Sequence, residues 1–226
     1  MILDTIFVPT EAELKAVRGG VQHARTPERI NVVITGVGPQ RAAEAVARAL
    51  SESRIERALV AGVCGLLAAA FLPGDLLLYA DVRDAQQNDS LVKTDRTLTA
   101  KLSTCLPQAK RGIRALAWPS IVTSSQEKSK LGIRYGADAI DMESHAIMMG
   151  LQKAGVQTAV LRVASDGVND DLPDLNAALN QNGTLNNTKL MREMLRAPYA
   201  GMTMAWNGAM ALMRLRQAIS RVTLTQ

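Results

Sequence analysis

Short apolar runs recur along the first 165 residues, and segments with helical periodicity lie between several of them. The apolar runs predict strands at 1–8, 30–35, 57–63, 75–79, 113–122, 137–140 and 156–164. Amphipathic segments predict helices at 40–50, 126–135 and 144–154. This alternation is typical of an α/β fold whose central sheet is mixed, largely parallel and flanked by helices.

The two ends of the chain have helical patterns of their own. Thr10 followed by Glu13 has the spacing of a capping box, so a helix is expected to begin there. Beyond Pro173 the pattern becomes wholly helical. We therefore expect a single α/β domain at 1–180, followed by a basic, Met-rich helical extension at 181–226.

Composition restricts the class of protein further. Apolar residues make up 47% of the chain, which indicates a packed core, whereas aromatic residues make up only 3%. Cys64 and Cys105 are too few for a disulfide framework or a metal site, and Cys64 is expected to be a small buried hydrophobe. No export signal opens the sequence, so a cytoplasmic location is expected.

The net charge of +5 comes from the C-terminal region. After Asp174 there are six basic residues and one acidic residue, Glu193, which accounts for the whole excess. A basic segment of this kind favours an anionic surface as partner, although an ordinary solvated helix face has the same pattern.

The same region contains a charge-free run of 17 residues from Ala197 to Met213. It is shorter than the ~20 residues that a membrane-spanning helix needs, and it contains Pro198 and Gly201. Three interpretations remain open. The run is a surface helix on anionic lipid, an apolar lip over the mouth of a site, or a helix docked on the domain or on a second subunit.

Candidate chemistry gathers where predicted strands end, which is where sites lie in open α/β sheets. The three segments are Gly36-Val37-Gly38, Gly62 to Gly65, and Asp141 to Ser144 together with Ser165-Asp166-Gly167. Glycines let backbone approach a ligand, but tight turns need them as well. Asp141 is expected to cap the following helix, whereas Glu143 and Asp166 are expected to converge at one sheet edge.

Four segments that include these residues, in this order, resemble the nucleoside phosphorylase superfamily, and within it the methylthioadenosine/S-adenosylhomocysteine nucleosidases. The matching parts are Gly36-Val37-Gly38, the stretch Gly62 to Asp75, Asp141-Met142-Glu143, and Arg162 to Asp166. The resemblance implies an enzyme that cleaves the N-glycosidic bond between a purine and a ribose. It implies no cofactor and no metal.

The resemblance also implies roles for individual residues. Asp166 protonates N7 of the departing purine and Ser165 orients it, while Glu143 accepts hydrogen bonds from the ribose hydroxyls and Met142 packs against the sugar. Core filling would explain Met142 equally well. The remaining expected substrate contacts are Gly38, Val63, Cys64 and Gly65.

The nucleophile is either phosphate or water. Phosphorylases of the superfamily have an arginine and a serine or threonine where this chain has Val60 and Val63. An oxyanion is poorly held without such partners, so water is favoured. By resemblance the base for that water is Glu13, with Glu11 second. The alternative is that both are exposed acids in the first turn of a helix.

Three further positions depart from the nucleosidase pattern or lack a role. Leu66 replaces a glycine of the nucleosidases, which would reshape the sugar pocket. His145 is expected to make a local hydrogen bond on its helix, and His23 has no context that supports a role.

At the level of subfamily, the chain resembles the hopanoid-associated members. The features are Gly36 to Pro39, the stretch from Lys128 to Asp138, Asp141 to His145, and the basic helical tail. This implies release of adenine from adenosylhopane, peripheral contact with the inner membrane surface, a homo-oligomer, and no nucleic-acid partner. The alternatives are a nucleosidase for a small soluble substrate such as methylthioadenosine or futalosine, a nucleoside-binding relative without turnover, and a membrane-surface scaffold.

Overall fold

The computed structural model describes residues 3–24, 26–86, 89–178 and 186–224. The strands are β1 Thr5–Val8, β2 Asn31–Ile34, β3 Arg57–Leu66, β4 Leu76–Asp84, β5 Ser90–Lys93, β6 Lys110–Ala117, β7 Ala139–Asp141 and β8 Gln157–Asp166. The helices are α1 Glu11–Val21, α2 Pro39–Glu52, α3 Arg96–Cys105, α4 Ser125–Tyr135, α5 Ser144–Lys153, α6 Leu175–Ala178, α7 Asn187–Arg196 and α8 Pro198–Leu224.

These strands form one mixed sheet. Among the described residues, five strand pairings are parallel and three are antiparallel. β3, β8, β4, β6 and β7 pair in a closed circuit, and β1 and β2 extend the sheet from β3. The expected α/β class with a mixed, largely parallel sheet is thereby confirmed. The expected boundary between 180 and 181 lies outside the described residues and stays a prediction.

The sheet separates two apolar clusters because successive side chains of a strand point to opposite faces. Along β3, Leu59 and Ala61 belong to one cluster, whereas Ala58 and Val60 belong to the other. β8 alternates in the same way. Both faces are therefore buried, which explains why these two strands are continuous apolar runs in the sequence.

Among the strands and α-helices of the described residues, β5 and α3 were not predicted from the sequence. β4 also continues to Asp84, past the predicted end at residue 79. Its second half pairs with the short strand β5, and alternate positions there are only partly buried. Helix α3 buries only Leu98 and Leu102, so its apolar stripe is too short to give a clear periodicity.

Helix α8 is continuous through Gly201 and Gly208, and its second half is part of the core. Leu215 and Ile219 are fully buried. Ile219 packs on α1 at Gly20, where an added Cβ would lie 2.8 Å from the Cβ of Ile219. Docking on the domain, one of the three interpretations of the tail, therefore holds for this half. No helix of the described residues is long and apolar enough to cross a membrane.

Candidate active site

A cavity of about 320 Å³ lies at the C-terminal ends of β3 and β8. Because these strands are parallel, Val63 to Gly65 and Ser165-Asp166 meet at one sheet edge. Residues of the segment from Ile140 to Glu143, of α1 and of α8 also line the cavity. The three segments that the sequence singled out are thus brought together, although Gly36 and Gly38 themselves do not line it.

The lining is mostly apolar, and its charged side chains are all acidic. Of the described residues that line the cavity, four are acidic and none is basic; the acidic residues are Glu13, Asp141, Glu143 and Asp166. The compensating cations lie behind the lining, where Arg162 and Lys128 are both 0% exposed. The two cations pair with different carboxylates: Arg162 with Asp141 and Glu143, and Lys128 with Asp166.

Arg162 lies beneath three of the carboxylates. Its Nε lies 3.3 Å from Asp141 Oδ2, and its Nη2 lies 3.8 Å from Glu143 Oε2. Nη2 also donates to Ser144 Oγ over 2.9 Å. Burial would lower the pKa of Arg162, but Asp141, Glu143 and Glu13 outweigh it and raise the pKa above its usual value. The guanidinium therefore stays charged.

Glu13 is buried rather than exposed, because its carboxylate turns into the protein. Oε2 accepts the backbone N–H of Thr10 over 2.9 Å, which completes the predicted capping box. Oε1 accepts the N–H of Val63 over 2.8 Å. Glycine is required at Gly62, since a Cβ there would overlap Arg162 Nη1 and Glu13 Oε1. Burial raises the pKa of Glu13 against the opposing effect of Arg162. Glu11, the second candidate, is exposed.

Glu143 is tied to the first glycine segment. Its Oε1 accepts the N–H of Gly38 over 2.9 Å. Burial raises the pKa of Glu143 to about 7, with Arg162 opposing and Asp141 adding to the rise. Asp141 accepts the N–H groups of Glu143 and Ser144 at the start of α5, which is the capping role expected for it.

Asp166 has a different partner. Lys128 Nζ donates to its Oδ2 over 2.6 Å, and Ser165 Oγ donates to its Oδ1 over 2.7 Å. Ser165 is thus placed to orient Asp166, as the resemblance implies. Both carboxylate oxygens have a donor, and the carboxyl still lines the cavity.

The other expected contacts fall into two groups. Met142, Val63, Cys64 and Gly65 line the cavity, whereas Gly38 reaches it only through Glu143. Cys64 is 4% exposed, and burial raises the pKa of its thiol to about 12. It remains a protonated, small apolar group, as predicted.

Sequence reasoning assigned no role to the two buried cations. Arg162 is the one charged residue in the run from Val156 to Ala164 that the sequence predicts as a strand, and this pattern could have indicated a buried partner for the carboxylates. Lys128 gives a weaker sign. It lies on the same face of α4 as Leu131, three residues on, and both are buried.

The prediction for His145 was wrong. Its Nε2 lies 2.7 Å from Ser90 Oγ, and its Nδ1 lies 3.8 Å from Asp84 Oδ2. Both partners are distant in sequence, because β4 and β5 pack against the start of α5. Burial lowers the pKa of His145 although Asp84 opposes this. His23 is exposed and does not line the cavity.

One face of α8 closes the cavity on its apolar side. Met204, Gly208 and Leu212 recur every four residues and line it. A second face of α8 stays exposed, with Tyr199, Met202 and Trp206 between 73% and 85% accessible. The interpretation of the tail as an apolar lip over the site thus also holds for the first half of α8.

An apolar cavity with a few converging carboxylates at the strand ends of an α/β sheet is the architecture of a small-molecule enzyme. Residues 4–197 match the family model of the phosphorylase superfamily, and the chain belongs to this superfamily. This confirms, at the level of the superfamily, the expectation of a nucleosidase or phosphorylase. No curated protein sequence matches the chain.

Solved structures share the fold at low sequence identity. The 5′-methylthioadenosine/S-adenosylhomocysteine nucleosidase of Helicobacter pylori, bound to butyl-thio-DADMe-Immucillin-A, is 15% identical with a TM-score of 0.74 and 98% coverage of both chains. The enzyme of the same name from Neisseria meningitidis is 14% identical with a TM-score of 0.74, covering 99% of this chain and 100% of that one. Futalosine hydrolase of Helicobacter pylori is 15% identical with a TM-score of 0.73, covering 96% and 95%.

Proposed function

We propose that the protein hydrolyses the N-glycosidic bond of a 5′-substituted adenosine and releases adenine. The observation that carries the proposal is the acidic cavity: four carboxylates line it, and no cation of the described residues does. Cleavage of this bond develops positive charge on the sugar, and a cavity of this charge favours such a transition state.

Asp166 is the proposed acid at the purine end of the cavity. A purine leaves more readily when its N7 is protonated, and Asp166 lines the cavity beside Gly65. Ser165 fixes the orientation of the carboxyl group.

Glu143 and Met142 are proposed to hold the ribose. In its ionised form Glu143 accepts hydrogen bonds from sugar hydroxyls and adds negative charge near the developing cation. Arg162 and the N–H of Gly38 hold the carboxylate in place.

Water is the proposed nucleophile, with Glu13 as its base. Glu13 lies beside Val63, and Asp166 lies beside Gly65, so the proposed base and the proposed acid line one cavity at positions two residues apart along β3. Val60 is fully buried in the core and Val63 has no hydroxyl, so neither offers a phosphate a partner. An anionic nucleophile would also be repelled by the carboxylates.

For the 5′ substituent we propose an apolar chain, as in adenosylhopane. Met204 and Leu212 of α8 give the cavity an apolar wall, and Trp206 and Met202 form a separate, exposed apolar face on the same helix. Arg192 and Arg196 on α7 suit contact with anionic lipid headgroups. Membrane contact and a homo-oligomer belong to this proposal.

The test measures adenine release from a series of 5′-alkylthioadenosines, with methyl to decyl chains, in phosphate buffer. We expect free ribose-type products, and kcat/KM rising by up to about fourfold per added methylene. Formation of a ribose 1-phosphate product would contradict hydrolysis. A preference for the methyl compound would instead favour a small soluble substrate, and binding without adenine release would favour a non-catalytic protein.

A further inference from the structure

The side chain of Lys128 is fully buried and contacts the carboxyl group of Asp166. Its ammonium group has three acceptors, which are Asp166 Oδ2 at 2.6 Å, Asp170 O at 2.8 Å and Gly167 O at 3.1 Å. These distances satisfy all three of its N–H donors. The side chain is 0% exposed, although its partner Asp166 lines the cavity.

The segment that follows β8 is also held in place by hydrogen bonds that do not involve Lys128. Leu172 donates to Thr123 O over 2.8 Å, and Ser125 donates to Asp171 Oδ1 over 2.7 Å. The segment after β8 is thus already tied to the start of α4 by other bonds. A buried ion pair contributes little net stability compared with apolar residues of the same volume, so its position directly behind the proposed acid indicates a role in the reaction.

We propose that Lys128 is a positioning residue that supplies, through Asp166, the proton that leaves with the purine. This rests on the proposed function. Lys128 donates a hydrogen bond to Oδ2 of Asp166, so its N–H group points directly at the proposed acid. The ammonium group in contact with Oδ2 is the proton source that the structure places nearest to it.

The proton moves from Lys128 to the purine in two steps. An N–H bond of Lys128 breaks and an O–H bond of Asp166 forms, which leaves a neutral amine and a neutral acid. As the glycosidic bond breaks, its electron pair moves into the purine ring, and the proton passes from Asp166 to N7. The attacking water gives a proton to Glu13, and after product release Lys128 regains a proton from solvent while Glu13 loses one.

The contacts of Lys128 suit both of its protonation states. As an amine it keeps two N–H donors for Gly167 O and Asp170 O, while its lone pair faces Asp166. No side chain has to move between the two states. An arginine would keep the charge but could not release a proton.

The experiment compares two substrates with different leaving groups, methylthioadenosine and the 4-nitrophenyl riboside with the same 5′ group. Nitrophenolate leaves without protonation, whereas adenine needs it. We expect Lys128→Met and Lys128→Arg to lower kcat for adenine release by at least about 10², and to change nitrophenol release by less than about fivefold. Lys130→Met, at an exposed position of the same helix, should change neither.

A double variant distinguishes loss of the proton source from misfolding caused by an unpaired buried charge. Lys128→Met with Asp166→Asn removes both charges together, and it should lose no more kcat than Asp166→Asn alone, because the two groups act as one unit. Three outcomes would overturn this inference while leaving the proposed function intact. They are equal losses on both substrates, additive losses in the double variant, and wild-type adenine release by Lys128→Arg. A wild-type protein that releases neither leaving group overturns the proposed function and the inference with it.

Discussion

Arg162 and Lys128 are both fully buried cations, but their surroundings differ. Three carboxylates share Arg162, whereas Lys128 faces one carboxylate and two backbone carbonyls. A guanidinium cannot give up its proton in a protein, while an ammonium can. The charge of Arg162, at the Glu143 end of the site, is therefore fixed, whereas Lys128, at the Asp166 end, can transfer a proton. The two ends should therefore respond differently to substitution.

The largest effect is expected at Arg162. Arg162→Met leaves Asp141, Glu143 and Glu13 without their shared cation, and breaking such a buried network destabilises by about 3–5 kcal/mol. Urea unfolding measures the free energy of unfolding. Arg48→Met, at an exposed position of α2, is the control and should stay within about 0.5 kcal/mol of wild type. An equally small change for Arg162→Met would show that the carboxylates do not depend on it.

Asp166→Asn should slow the reaction, and it should also lower the free energy of unfolding because the buried Lys128 loses its carboxylate partner. The amide keeps the shape and the hydrogen bond from Ser165 but cannot deliver a proton, so kcat for adenine release should fall by at least about 10². Asp89→Asn is the control, because asparagine tolerates the φ of 52° at this exposed position. Adenine release at the wild-type rate by Asp166→Asn would remove its proposed role.

Glu143 should make activity and stability change in opposite directions with pH. Its pKa of about 7 in the folded protein lies above the ~4.3 of an unfolded chain. The folded state therefore binds a proton that the unfolded chain does not bind between these values. The stabilising contribution is fully present below about pH 4 and is lost as pH rises through about 7, by up to about 4 kcal/mol. The ionised form needed for ribose binding grows over the same range, so kcat/KM should rise.

The measurements for Glu143 are kcat/KM and thermal unfolding from pH 5 to pH 9. Glu143→Gln should remove the acidic limb of the activity profile and flatten the fall in stability. Glu127→Gln, at an exposed position of α4, should leave both profiles as in wild type. A rate that is independent of pH around 7 would place the controlling ionisation elsewhere.

The smallest effect is expected on α8. Met204→Ser should lower kcat/KM for a decylthio substrate by about tenfold, since it makes the apolar wall polar, and should leave the methylthio substrate nearly unchanged. Trp206→Ser should weaken binding to anionic liposomes without changing methylthio turnover. Equal losses on both substrates would show that Met204 merely supports the fold. Truncation is not a substitute for these variants, because Leu215, Ala218 and Ile219 are core residues.

Much of the architecture was predictable because strand and helix periodicities are local properties. The apolar runs of β3 and β8, the capping box of Thr10 and Glu13, and the acidic residues at strand ends were all visible in the sequence. β5 and α3 were not predicted, since each buries too few side chains to show a period. The roles of Asp166, Glu143 and Glu13 came from resemblance, and they stay proposals.

The sequence by itself determined the α/β class, the superfamily and the group of strand ends where the site lies. Only the tertiary structure decided how the charges of that site are paired. Lys128 meets Asp166 across 38 positions of chain, and the N–H of Gly38 meets Glu143 across 105. It also decided that α8 both docks in the core and lines the cavity. Such contacts depend on how helices and strands pack together, and residue periodicity carries no information about the partner that a buried charge will find.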